Sequence, residues 1–209
     1  MIRSVFVIAL ITGLTTISAM AQAAEGEVQI SVDGAPKHYA LRTGGDSSTT
    51  SATSAEQYTR NVGVLVDVVS TMPYDGFSDS VYPVGGIGLE YRYSSDATVA
   101  AQDLNLWFHY GLAIHPVKPV RLDLQIGLAP CLSATELTIP TRPSATGNWL
   151  LSGGSAEATA TLGIRVKPWL GLLARGGVMT TYVSGRNDRD TVTLHASGAI
   201  AGAGVILVW

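Results

Sequence analysis

The sequence predicts an all-β protein, an antiparallel up-and-down barrel of about eight strands that spans a membrane. Three observations predict it. Apolar and polar residues alternate with period two through most of the chain, the mark of strands with unlike faces. Only 14% of the 209 residues are charged, against about 25% in ordinary soluble domains, while 46% are hydrophobic and the mean hydropathy is positive. The links between alternating segments are mostly tight on one side and longer on the other, as in membrane barrels.

The N-terminus reads as an export signal. Arg3 supplies a short positive region, and Val5 to Leu14 is an apolar stretch of signal-peptide length. Ala19-Met20-Ala21 and Ala21-Gln22-Ala23 both fit a small-x-small cleavage site. The expected division is a signal peptide over 1–23 and a barrel over 24–209, with the mature chain starting between Gln22 and Glu25. The apolar run is short for a membrane-spanning helix, and Thr12, Thr15 and Thr16 interrupt its continuation.

In the mature chain the first strand alternates Val28, Ile30 and Val32 with Glu27, Gln29, Ser31 and Asp33. After Pro36 the apolar set becomes Tyr39 and Leu41, which suggests a parity flip through a bulge at Gly34–Pro36, or a separate short hairpin. The second strand, about Tyr58 to Met72, sets Val62, Val64, Val66 and Val68 against Asp67. The third, about Val84 to Ser95, sets Ile87, Leu89, Tyr91 and Tyr93 against Glu90 and Arg92. In the fourth, Leu104, Leu106, Phe108, Tyr110, Leu112 and Ile114 oppose Asn105, Trp107, His109, Gly111 and Ala113. A turn at His115–Pro119 leads to the fifth, Val120 to Leu128, where Val120, Leu122, Leu124, Ile126 and Leu128 oppose Arg121, Asp123, Gln125 and Gly127. The sixth spans Ala156 to Val166, with Glu157, Thr159, Thr161 and Arg165 on its polar side. Lys167-Pro168 turns into the seventh, Trp169 to Tyr182, with Arg175 opposite Leu170, Leu172 and Val178. The eighth runs from about Thr191 to Trp209.

Links after strands four and six are very short. Those after strands one (about 43–57) and five (131–154) read as long loops rich in Ser, Thr, Gly and Pro. An even strand number places both ends of the barrel chain on the tight-turn side, and no appended module is expected after the eighth strand.

Alternation alone leaves two barrels open. In a soluble, lipocalin-like periplasmic binding barrel, Leu122 and Leu124 would point inward; in a membrane barrel they face lipid. Charge decides for the membrane. Asp67, Glu90, Asp123 and Glu157 could pair with Arg92, Arg121, Arg165 and Arg175, the balanced set a narrow closed interior needs. Aromatics near strand ends (Tyr58, Tyr91, Tyr93, Trp169, Tyr182 and Trp209) could form interfacial girdles. Ala201, Ala203, Val205, Leu207 and Trp209 alternate to the last residue.

That terminal pattern, with Trp where the class usually has Phe, resembles the end of outer-membrane barrels. Over 24–209 the chain is similar to the opacity-protein or OmpX-like class. The resemblance implies an integral outer-membrane protein of Gram-negative type, porin-like in build but without a wide pore, since side chains fill an eight-stranded interior. Implied partners are outer-membrane lipids, the barrel-assembly machinery and an extracellular ligand at loops 43–57 and 131–154.

A formal charge of −3 gives no basic field for nucleic acid. No catalytic, cofactor-binding or metal site is expected, and no cofactor. His38, His109 and His115 lack metal-ligand spacing, although His109 fits an interior polar network. The lone Cys131 excludes an intramolecular disulfide and reads as a small apolar residue. One enzymatic alternative rests on His195 and Ser197, two apart on one strand face. The pair is similar to the lipid A deacylase motif, but Gly198 stands where that family usually has Asn and no acidic residue follows.

Overall fold

The computed structural model describes residues 26–34, 37–45, 51–52, 56–71, 80–139, 143–187 and 190–208. The expected signal peptide and Trp209 lie outside these residues. The strands are β1 (Gly26–Asp33), β2 (Lys37–Gly45), β3 (Ser51–Ala52), β4 (Glu56–Gln57), β5 (Arg60–Thr71), β6 (Val81–Ser95), β7 (Val99–Val117), β8 (Val120–Leu137), β9 (Gly147–Lys167), β10 (Leu170–Arg186) and β11 (Asp190–Val208). Strands β1 and β5 to β11 pair antiparallel in sequence order, and β1 pairs with β11 to close an eight-membered ring. The fragments β2, β3 and β4 extend the wall above β1 and β5.

The alternation read from the sequence holds in the wall. Leu124, Ile126 and Leu128 are 45%, 65% and 67% exposed on the outer surface, whereas Asp123 beside them is 2% exposed and points inward. A soluble barrel inverts that arrangement, so the lipocalin-like alternative is overturned. The outward apolar band continues through Val62 and Val64, Leu106 and Phe108, Leu162 and Ile164, and Leu172 and Val178. Trp169, with the Lys167 ammonium 5.7 Å from its ring centre, stands outward at one edge, and Tyr182 at the other.

Three expectations are corrected. No bulge flips the first strand. Asp33 lies opposite Gly202 and Lys37 opposite Gly198, so three residues separate the pairs on each strand and one register runs through β1 and β2. Glu27, Gln29, Ser31 and Asp33 point inward, and so do Tyr39 and Leu41. Parity is constant; the chemistry of the interior changes. Tyr58 likewise is no girdle residue: it is buried, stacked on Tyr39 with ring centres 4.6 Å apart.

The third correction concerns the long loops. Strand β8 continues to Leu137 and β9 starts at Gly147, so most of 131–154 is paired wall. The true connection is 138–146. It holds a 3-10 turn at Pro143–Ala145, whose Ala145 carbonyl accepts a 2.9 Å hydrogen bond from the Trp149 indole. Gly147, at φ 132°, takes a conformation that side chains disfavour. Within 43–57, β2 reaches Gly45 and β3 and β4 pair back onto it.

With these extensions β9 is 21 residues long. At about 3.3 Å per residue and a tilt of about 40°, such a strand rises about 50 Å, twice the roughly 25 Å apolar band of a membrane barrel. The wall therefore projects far beyond the lipid on the side of the 138–146 connection. The other side closes with the two-residue turns Lys118–Pro119 and Pro168–Trp169.

Candidate functional site

Inside the membrane-spanning half, long charged side chains reach along the inner wall and bridge strands. Arg92 is fully buried; its Nη2 lies 2.5 Å from Asp33 Oδ1 on β1 and also donates to Glu90 on its own strand, while Nη1 donates to Asn61 on β5 at 3.1 Å. Glu90 Oε2 accepts from Asn105 Nδ2 and Trp107 Nε1, each at 2.9 Å. The far oxygen of Asp33 lies 3.8 Å from Arg175 on β10, which donates to Glu157 on β9. Glu157 is 2.9 Å from His109 Nε2, and His109 Nδ1 is 2.8 Å from Asp67 on β5. Both imidazole nitrogens face carboxylates, an arrangement met by the ring carrying two protons. The circuit thus leaves β5 at Asn61 and returns to it at Asp67 after visiting five other strands.

This network absorbs Asp67, Glu90, Glu157, Arg92 and Arg175 as the sequence predicts, and His109 with them. Asp33 joins too, although it reads in sequence only as the polar partner of an alternating strand. Asp123 forms a separate group with Arg121 (2.6 and 2.7 Å), and Arg121 reaches Glu27 at 2.9 Å. Arg165 is not part of the lumen; it is exposed at the tight-turn end. Room for the long chains comes from inward glycines. A Cβ on Gly127 would stand 2.6 Å from the His109 ring, and one on Gly63 2.6 Å from the Arg92 guanidinium.

Above this layer the lumen turns apolar. Tyr39, Leu41, Tyr58, Val99, Leu137, Trp149, Leu151, Val183, Val192 and Leu194 form one buried cluster, together with Cys131. Outward positions at that height include the polar or charged His38, Arg42, Arg60, Glu136, Asn148 and Arg186, alongside the exposed Leu132 and Leu150. Tyr39 donates from its hydroxyl to Asp96 at the rim. Burial pushes the Tyr58 hydroxyl well above its ordinary range, with Asp103 adding to the effect, so it stays neutral in the plug. The projecting wall is therefore built like a soluble barrel, and the spanning wall like a membrane barrel. The chain is an integral outer-membrane β-barrel. Among the described residues, side chains fill the barrel at both levels.

No family model and no curated protein matches the sequence. Solved outer-membrane proteins match the barrel in structure. The outer-membrane protease OmpT of Escherichia coli is 7% identical, with 90% of this chain and 98% of that chain covered, at a TM-score of 0.50. The Neisserial surface protein A, NspA, is 10% identical over 86% and 97% of the two chains, at 0.47. The attachment invasion locus protein Ail of Yersinia pestis is 15% identical over 88% and 99%, at 0.39. At these identities the likeness is one of fold.

His195 and Ser197 do share the outer face of β11, above the apolar band. They are not joined to each other: His195 Nε2 is hydrogen-bonded to Thr180 Oγ1 on β10 at 3.0 Å, and Tyr182 lies alongside. His38 is also outward on this rim, whereas His115 bonds the Tyr82 hydroxyl at the opposite end. Among the described residues no group of His, Cys, Asp and Glu has the geometry of a metal site.

Proposed function

We propose that this protein is a non-catalytic, non-conducting outer-membrane barrel that holds a rigid platform outside the cell, where the rim and its connections meet an extracellular partner. The observation that carries this reading is the apolar plug inside the projecting wall. A barrel that served only as a membrane anchor would gain nothing from a second core beyond the lipid. A core there fixes the rim residues Arg42, Glu136, Asn148 and Arg186 in position, which suits recognition. The region offered to a partner is the tip of 43–57 and the 138–146 connection rather than the whole of 131–154. Barrel-assembly machinery and outer-membrane lipids are its further partners. The non-catalytic part of the reading is supported by the Thr180 bond of His195, which leaves Ser197 without its base.

The test is electrical. The refolded barrel placed in a planar lipid bilayer is expected to give no steady conductance. Steady single-channel openings would sink the reading and make solute passage the leading function. The leader over 1–23 belongs to the same proposal: Edman sequencing of the mature protein should start between Gln22 and Glu25, and a sequence starting at Met1 would refute cleavage.

A further inference from the structure

The tight-turn end of the barrel, opposite the proposed platform, holds a cavity of about 450 Å³, within the range of small-molecule sites. It exists because inward positions there lack side chains. Gly163 and Gly171 hold such inward positions and Gly26 lines the edge, and a Cβ on Gly163 would come within 2.9 Å of Ile206 Cδ1. Its walls divide by chemistry. Val69, Ile206, Val208 and Pro119 give an apolar side. Lys118, Arg121 and Arg165 bring three positive charges, Glu27 one negative, and the Tyr82–His115 pair a neutral polar edge. Asp123, beneath Arg121 and bidentate to it, removes one further charge.

Among the described residues the surplus is thus a single positive charge, contributed at the rim by Lys118 and Arg165, which make no ion pair with any of them. Arg121 is already held by Glu27 and Asp123. We propose that this periplasmic vestibule binds a singly charged carboxylate that carries an apolar group, as at the C-terminal end of a peptide chain. The carboxylate meets Lys118 and Arg165 at the mouth, and the apolar group enters against Val69, Ile206 and Val208. One surplus charge suits a carboxylate; a phosphate dianion would leave a negative charge uncompensated beside Glu27.

The experiment titrates N-acetyl-leucine, and in parallel N-acetyl-leucinamide, into the refolded barrel in zwitterionic micelles, followed by amide NMR. The acid should perturb the Gly26, Gly163 and Gly171 resonances at about millimolar concentration, as expected for so small a ligand. The amide should bind at least about tenfold more weakly, and so should the acid to the Lys118→Gln/Arg165→Gln variant. Both substitutions are at exposed positions, so the folded barrel, checked by its gel mobility before and after boiling, should be retained. Equal binding of acid and amide, an unchanged affinity in the double variant, or absence of vestibule shifts with either compound would each overturn the proposal. A Gly163→Leu variant, which fills the cavity, should abolish the shifts at Gly26 and Gly171; if they persist, the ligand lies elsewhere.

Discussion

Replacing Arg92 with Leu should prevent the barrel from folding, or lower its stability by about 3–5 kcal/mol, the cost of leaving a buried ion network without one partner. Arg92 ties its own strand to β5 through Asn61 and to β1, one strand further round, through Asp33, and its removal strands the carboxylates of Asp33 and Glu90 in a lumen without water-like solvation. The measurement is the urea midpoint of the gel-mobility shift. Arg92→Lys should recover only part of the loss, because an ammonium cannot span the fork that Asp33, Glu90 and Asn61 share. A combined Asp33→Asn, Glu90→Gln, Arg92→Met variant should be more stable than Arg92→Leu alone, since it leaves no lone charge. A midpoint for Arg92→Leu within error of the parent would show that the network is not holding the strands together.

Ile126→Arg should cost about 2–4 kcal/mol in lipid vesicles, because it places a charge in the middle of the apolar band. Ile126 is outward, beside Tyr110 on β7 and Ala158 on β9. The same substitution at Asn148, outward on β9 but above the band, should stay within about 0.5 kcal/mol. The two positions lie on neighbouring strands and face the same way, so only height along the axis separates them. Equal effects would mean that the lipid boundary lies elsewhere.

Height is also what limits the sequence reading. Where a strand lies wholly within the band, as from Leu104 to Ile114 or Val120 to Leu128, period two gives both the face and the side of the wall. Where a strand crosses the lipid boundary, polarity inverts while geometry does not. Tyr39 and Leu41 therefore look like a parity flip, and Val192 and Leu194 look out of phase with Leu207, although each keeps the parity of its strand. No one-dimensional pattern marks the level at which the solvent changes. The paired wall within 131–154 was hidden for a second reason. Pro130 has no amide hydrogen to give, and the β7–β8 pairing skips Leu106 and Trp107 opposite Ala129 and Pro130 before resuming at Asn105 and Cys131. Proline and glycine there imitate the end of a strand that continues for several more residues. The lumen circuit was legible in its members but not in its connections, because pairs such as Asp33 and Arg175 meet only once β1 closes on β11. The vestibule was not legible at all: it is made by what Gly163 and Gly171 leave out.

The closing seam sets an order of events for biogenesis. Glu27, at the start of the described wall, lies against Val208, at its end. Six of the eight ring seams join consecutive strands and the β1–β5 seam spans only the β2–β4 insertion, whereas the β1–β11 seam spans the described wall from end to end. A nascent polypeptide lacking the last strand would leave backbone edges on β1 and β10 open to hydrocarbon, at several kcal/mol for each unsatisfied group. Insertion and completion of the chain are therefore coupled: a truncated product has no stable way to enter the bilayer alone and stays exposed to periplasmic proteolysis, so quality control is written into the topology itself.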